Sequence, residues 1–181
     1  MPAALGRGTN LHPWLTASDL AVLDQWNARL VRLQFHANRP FVAADLANFL
    51  NFCGAYGLKA IISLSVIAAE RDTFFDNDTY KANYQSLWLD IAAVTKNYTW
   101  EVAGLDLMNE PYLNQADAGK WNTYAEALSL AIRAVDTTHS FIVQPVLKDA
   151  YQIDTIGSLN LISDTNTIYS VHVGEPWSFT N

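Results

Sequence analysis

The sequence predicts an α/β fold in which successive βα units set their strands side by side in one parallel sheet. Three observations point there. Strand-like and helix-like stretches alternate along all 181 residues, as they do where helices cross over between parallel strands. The strand-like stretches, Leu58-Lys-Ala-Ile-Ile-Ser-Leu-Ser-Val66 above all, are apolar enough for burial on both faces. No further repeat, low-complexity tract or linker interrupts the alternation, so residues 1–181 read as one domain.

Taken in order, Leu5 to Leu11 opens the chain as a short strand. Ser18 is placed to cap a helix through about Trp26, with Leu20, Leu23 and Trp26 on one side. Leu30 to Phe35 is the second strand, and a helix from about Ala43 to Tyr56 stops at Gly57. After the third strand, Leu58 to Val66, comes a polar loop from Glu70 to Asp78 that contains Phe74 and Phe75. A helix from about Tyr80 to Thr95 puts Tyr84, Leu87, Trp88 and Ile91 at helical spacing. The fourth strand starts at Gly104, and the next helix runs from about Ala118 to Val135. Phe141 to Gln144 is a fifth strand ended by Pro145, and Ile168 to Val173 a sixth ended near Pro176.

Composition narrows the function. Half the residues are hydrophobic, ample for a core, and the formal net charge is −7, which makes nucleic acid and anionic membrane poor partners. No apolar run approaches the ~20 residues of a membrane span. Cys53 is the single cysteine and sits in an apolar helical stretch, so it reads as a core residue. The start, Met1 to Leu5, lacks the basic and apolar regions of a signal peptide. No cofactor or metal site is expected: there is no phosphate-binding glycine loop, nucleophile elbow or zinc helix, and Asp76-Asn-Asp78 lacks the glycine and distal glutamate of a calcium loop.

The most informative stretch is Gly104-Leu-Asp-Leu-Met-Asn-Glu-Pro-Tyr112. Its apolar start is a buried strand, which Pro111 obliges to end at about Glu110. That sets an ionisable carboxyl, with the Asn109 amide beside it, at the edge of an α/β sheet where reacting groups gather. Asn-Glu-Pro after such a strand resembles the acid/base motif of retaining glycosidases built on (β/α) barrels. The resemblance implies that Glu110 protonates the leaving glycosidic oxygen and then deprotonates water, while Asn109 holds the sugar 2-hydroxyl.

From Gly8 to Thr180 the chain resembles glycoside hydrolase family 5, the cellulase family. Gly8-Thr-Asn-Leu11 is similar to its opening strand, Val31-Arg-Leu33 to its second and Asp106-Leu-Met-Asn-Glu-Pro111 to its acid/base motif. Ser170 to Thr180 is similar to its sixth-strand segment. The resemblance implies an α/β chain that is a partial (β/α)8 TIM barrel, about six βα units without the last two strands, since a complete barrel needs roughly 250 residues. It also implies a second catalytic glutamate on strand seven, which this chain is expected to lack; Glu175 and Glu70 are poor replacements. Where the family often ends strand three in Asp-x-His, Ser63 and Ser65 stand here, and Gly174 stands for a tyrosine. The implied substrate is a polysaccharide, β-glucan first, and secretion is suggested by the resemblance alone.

For the remaining site residues two readings stay open. Arg32, inside an apolar strand, needs an anion: either a buried acid such as Asp106, or the nucleophilic carboxylate that the resemblance assigns to it. His172 bonds substrate or a carboxylate, or is a satisfied core histidine. Asn10 and Gln144 are strand-end amides of the same position class. Trp14 and Trp177 are sugar-stacking platforms or ordinary packing beneath loops, and His36, with His12, lines the rim or is structural. The alternative to an enzyme is a non-catalytic partial barrel that binds glycan weakly or self-associates through the open edges at strands one and six.

Overall fold

The computed structural model describes residues 8–11, 17–37, 39–148 and 151–172. Six strands, β1 (Gly8–Leu11), β2 (Leu30–His36), β3 (Lys59–Ser65), β4 (Val102–Asp106), β5 (Phe141–Val143) and β6 (Thr167–Tyr169), form one sheet in the order of the chain. Every neighbouring pair is parallel. A doubly wound sheet reverses its order at a switch point, whereas the staves of a (β/α)8 barrel follow one another as these do. The helices α1 (Ala17–Gln25), α2 (Ala43–Ala55), α3 (Asp78–Thr95) and α4 (Ala118–Arg133) cross between strands, and a short α5 (Gln152–Thr155) follows β5.

Alternation along β2 shows how the sheet is faced. Val31 and Leu33 are fully buried in the core with Leu46 and Leu50 of α2, while Arg32 and Gln34 point to the other side and stay partly open. The α2 helix ends where the sequence places its stop: Gly57 takes φ +66°, a conformation that only glycine adopts freely. In β4, a Cβ at Gly104 would stand 3.2 Å from both the Ile142 side chain and the Ser140 carbonyl, so glycine is what lets β5 lie this close.

Several boundaries differ from expectation, the following most. Helix α1 already includes Ala17, so Ser18 lies within it rather than at its cap, and Trp26 follows its last residue. The chain turns there through Asn27 at φ 54°, which leaves Trp26 65% exposed instead of on a buried face with Leu23. Strand β4 ends at Asp106, not near Glu110. Backbone pairing continues in part, from Leu107 N–H to the Ile142 carbonyl at 3.0 Å and from Asn109 N–H to the Leu64 carbonyl at 2.8 Å. Strand β6 is the shorter Thr167–Tyr169, and Val173 and beyond lie outside the described residues, as do Leu5 to Arg7. The polar loop after β3 folds inward at its centre, where Phe74 and Phe75 are buried and Phe74 packs edge-on to Tyr84 with centroids 5.2 Å apart.

Helical spacing brings Tyr84 and Trp88 of α3 to one side, and both are buried beneath the ends of β3 and β4. The Tyr84 hydroxyl lies 2.9 Å from both the Leu64 and the Leu107 carbonyl, and Trp88 Nε1–H donates to Leu107 at 3.0 Å. From α4, Trp121 Nε1–H donates to the Gln144 carbonyl at 2.8 Å. Carbonyls at the strand ends thus receive the polar tips of core aromatics, Leu64 in addition to its backbone partner Asn109. Both carbonyls facing Tyr84 keep a second donor, so Tyr84→Phe is expected to lower unfolding free energy by only about 1 kcal/mol, and Tyr84→Ala by about 3–5 kcal/mol. Urea denaturation at constant m-value checks this; equal losses for the two variants would show that the hydroxyl rather than the ring carries the packing.

Candidate active site

At the C-terminal ends of β2 to β5 an acid is buried among donors. Asp106, 1% exposed in its side chain, is met by Arg32, 14% exposed. Arg32 Nε–H donates to Asp106 Oδ2 at 3.0 Å and its Nη2 reaches the same oxygen. Ser63 Oγ–H donates to that oxygen at 3.1 Å, and Gln144 Nε2 contacts Oδ1 and Oδ2 at 3.0 and 2.9 Å. The strand register makes this meeting possible: Gln34, Ser63, Asp106 and Ile142 stand level, and Arg32, one layer lower, extends its long side chain upward. Of the two readings of Arg32, the ion pair with Asp106 is the one the described residues display. Removing either partner of such a buried pair strands the other, at about 3–5 kcal/mol.

Arg32 also positions Asn109. Its Nη2 donates to the Asn109 side chain at 2.9 Å, and to Ser63 Oγ at 2.7 Å. A guanidinium only donates, so the Asn109 atom facing it is the oxygen, and what that amide has left to offer is its NH₂.

Glu110 stands four residues past β4 with its backbone at φ 50°, a left-handed conformation unusual for a side chain of this size. Such a conformation costs about 1–3 kcal/mol and persists only where its surroundings hold it. Here they do. Glu110 N–H donates to Gln144 Oε1 at 3.2 Å, which also receives Gln152 Nε2 at 3.2 Å. Gln152 Oε1 in turn accepts the His172 backbone N–H at 2.7 Å, and His172 Nδ1 lies 2.9 Å from Glu110 Oε1. Glu110, Gln144, Gln152 and His172 therefore close a ring of hydrogen bonds, which Gln144 joins to Asp106.

The hydrogen bond from His172 holds the Glu110 carboxyl below its ordinary range; partial burial opposes this, and the charges of His172 and Arg32 reinforce it. An ionised carboxylate only accepts, so His172 Nδ1 carries the proton in that bond. Of the two readings of His172, the carboxylate partner is the one seen. His36 Nδ1 lies 2.8 Å from Ser65 Oγ, and Ser63 is the hydroxyl that joins Arg32 to Asp106. The two serines at these third-strand positions therefore make contacts of their own.

A cleft of about 260 Å³ brings these groups to solvent, lined among others by His36, Arg71, Asn109, Glu110 and Tyr112. Trp14, Trp177, His12, Gly174 and Glu175 lie outside the described residues. Asn10 is described in backbone only and pairs in register with Arg32. Glu70, half-buried, does not line the cleft. The sequence reading weighed Asp106 only as a partner for Arg32 and did not single out Gln152. A lone acid among the apolar residues of β4 is a signal for the first; nothing in the sequence announces the second, because α5 meets Gln144 only through the fold.

Comparison with known proteins shows the family and the fold. The model of the family described as Cellulase (glycosyl hydrolase family 5) matches residues 4–181. The chain belongs to glycosyl hydrolase family 5. Curated relatives include Endoglucanase 3 of Fibrobacter succinogenes, 28% identical over 82% of this chain and 22% of its own length. Cellodextrinase A of Ruminococcus flavefaciens is 29% identical over 97% of this chain and 60% of its own. Among solved structures, Thermotoga maritima Cel5A in complex with cellobiose superposes with a TM-score of 0.80 at 20% identity, over 97% of this chain and 63% of that one. At that identity the likeness establishes the fold, six consecutive units of a (β/α)8 barrel. The chain spans less than two thirds of the length of each of these three proteins.

Because Glu110 is held low by His172, the pair contributes stability at pH values above the ordinary carboxylate range and loses it as pH falls through the depressed value. His172→Ala is expected to move the Glu110 titration upward, toward the ordinary value and beyond it through burial. Carbon-detected NMR titration of the Glu110 carboxyl reads this directly, and an unmoved or lowered titration would refute the pairing.

Proposed function

We propose that the cleft is the acid/base half of a retaining glycoside hydrolase acting within β-1,4-glucan chains, with Glu110 as general acid and then general base. The observation that supports this most is the placement of Glu110: a half-exposed carboxylate at a cleft wall, on a strained backbone held by Gln144, beside an amide oriented by Arg32. Asn109 NH₂ then meets the sugar 2-hydroxyl, where a hydrogen bond that strengthens in the transition state lowers the barrier.

A general acid must be protonated before reaction, and the His172 bond works against that in the open cleft. Two effects of the reaction restore it. A sugar in the cleft strips water from Glu110, and a second carboxylate about 5–5.5 Å away, as retention requires, raises its pKa by like-charge repulsion. Once the nucleophile is esterified that repulsion ends, and the low-pKa form suits the base role. Asp106 is shut in by Arg32, Ser63 and Gln144 and is not our nucleophile; we assign that role to a glutamate of a further strand, with Glu175 and Glu70 set aside. His172, His36, Trp14 and Trp177 complete the proposed substrate-binding set. We take β-glucan first as the substrate because the curated relatives are named for endoglucanase and cellodextrinase action, with mannan and xylan as comparators.

Glu110→Gln in the active enzyme is expected to lower reducing-sugar release from soluble β-1,4-glucan by about 10²–10⁴-fold, the usual contribution of general acid–base catalysis, while cellotetraose binding persists. A variant that hydrolyses at the parental rate rejects the assignment; one that loses binding in step with turnover rejects it too.

A second reading, self-association, is favoured by one observation. In the described sheet β1 and β6 each have a single neighbour, and Ile168 within β6 is 51% exposed, with Leu161 ahead of it in the chain at 79%. Open parallel edges with apolar residues pair readily with other chains. Sedimentation velocity of the 181-residue chain is expected to show dimers or larger species, and a sharp monomer boundary across concentrations would count against this reading.

A further inference from the structure

Arg71 and Tyr112 reach the cleft from two loops, one after β3 and the other two residues beyond Glu110. The Arg71 guanidinium lies over the Tyr112 ring, 3.9 Å from its centroid, and Lys148, beyond β5, is 5.3 Å from the same centroid. The two cations are not equivalent. Lys148 is neutralised by Asp72 at 2.8 Å, whereas Arg71 has no ion pair among the described residues.

Two consequences follow from the stack. An aromatic ring beside the reacting carboxyl would ordinarily serve a sugar as a stacking face, but a guanidinium at this distance covers a face of Tyr112. Stacking also uses only the flat of the guanidinium and leaves its in-plane N–H donors unspent, in the fork geometry that matches a carboxylate with two parallel hydrogen bonds. The ring limits the rotamers of an otherwise flexible side chain, so less freedom is lost when a ligand is gripped. In a chain of net charge −7 this sets a guanidinium with no direct ion pair among the described residues on the wall of an open cleft, with Asp72, the nearby acid that feels its charge, already paired to Lys148. Arg71 and Tyr112 line the same cleft as Glu110, so a ligand gripped by the guanidinium lies beside that carboxyl.

We propose that Arg71, braced by Tyr112, is a specificity-determining residue that binds an acidic sugar, a uronate or another carboxylate-bearing unit of the polysaccharide, next to the scissile linkage. The proposal rests on the reading of this cleft as a glycan site. The general expectation for β-1,4-glucan alone is a neutral subsite, which an unpaired arginine serves poorly.

Calorimetric titration of the protein with cellotetraose, and with the same tetrasaccharide oxidised at C6 to the uronate, tests it without requiring turnover. The uronate is expected to bind about tenfold more tightly, the advantage of one charge-assisted bidentate contact. Arg71→Ala is expected to bring the ratio of the two affinities to about one, and Arg71→Lys to restore part of it, since lysine keeps the charge but not the fork. A wild-type ratio at or below one overturns the proposal, as does a ratio that survives in Arg71→Ala. Binding of neither tetrasaccharide overturns the glycan reading along with it, whereas binding of cellotetraose without preference leaves that reading standing and removes only Arg71 from it.

Discussion

A single buried charge organises the functional end of this molecule. Asp106 sits at the last residue of β4 with 1% of its side chain exposed, and an acid placed there is tolerable only if donors surround it. They come from three other places: Arg32 on β2, Ser63 on β3, and Gln144 just past β5. The requirement that one carboxylate be satisfied therefore ties four neighbouring strand ends together. Arg32 is bound by the same logic, and with it Asn109, whose amide direction follows from facing a group that can only donate.

The position proposed to react, Glu110, is built on top of this frame and not within it. Glu110 lies in a turn whose left-handed backbone is disfavoured on its own, and Gln144, anchored below by Asp106, supplies the acceptor that holds it. Preorganisation here means that strain at one residue is offset by hydrogen bonds whose far ends are buried. From the outer side the strand ends are steadied by Tyr84, Trp88 and Trp121, whose rings fill the space under the helices while their polar tips bond carbonyls at the strand ends. Packing and polar satisfaction are performed by the same side chains.

His172 gives the site an electrostatic asymmetry. It closes the hydrogen-bond ring from the far end of the sheet, through Gln152, and leaves Glu110 poised toward its ionised form. A catalytic acid that also serves as a base needs its proton affinity to change during the cycle. In the role proposed for Glu110, a partner that holds it low, against burial and the second carboxylate that the proposal requires, makes that change possible.

Much of this was legible in the chain. Periodicity alone was enough for the alternation of strands and helices, because burial on a sheet and on a helix leaves different repeats in the order of apolar residues. Gly57 marked the end of α2 for a steric reason that needs no partner, and Glu110 with Asn109 stood out because an acid and an amide before proline end an apolar strand. What the chain could not show is anything that depends on distance across the sheet. That Arg32 answers Asp106, 74 positions away, follows from strand register. The end of β4 at Asp106, the left-handed turn at Glu110, and the link from Gln152 to His172 also follow from which groups meet in space. Local composition determined the elements and singled out the candidate carboxyl; only the tertiary structure decided what holds that carboxyl and which charge state its partners favour, because hydrogen bonds and charges act through separation in space and not along the chain.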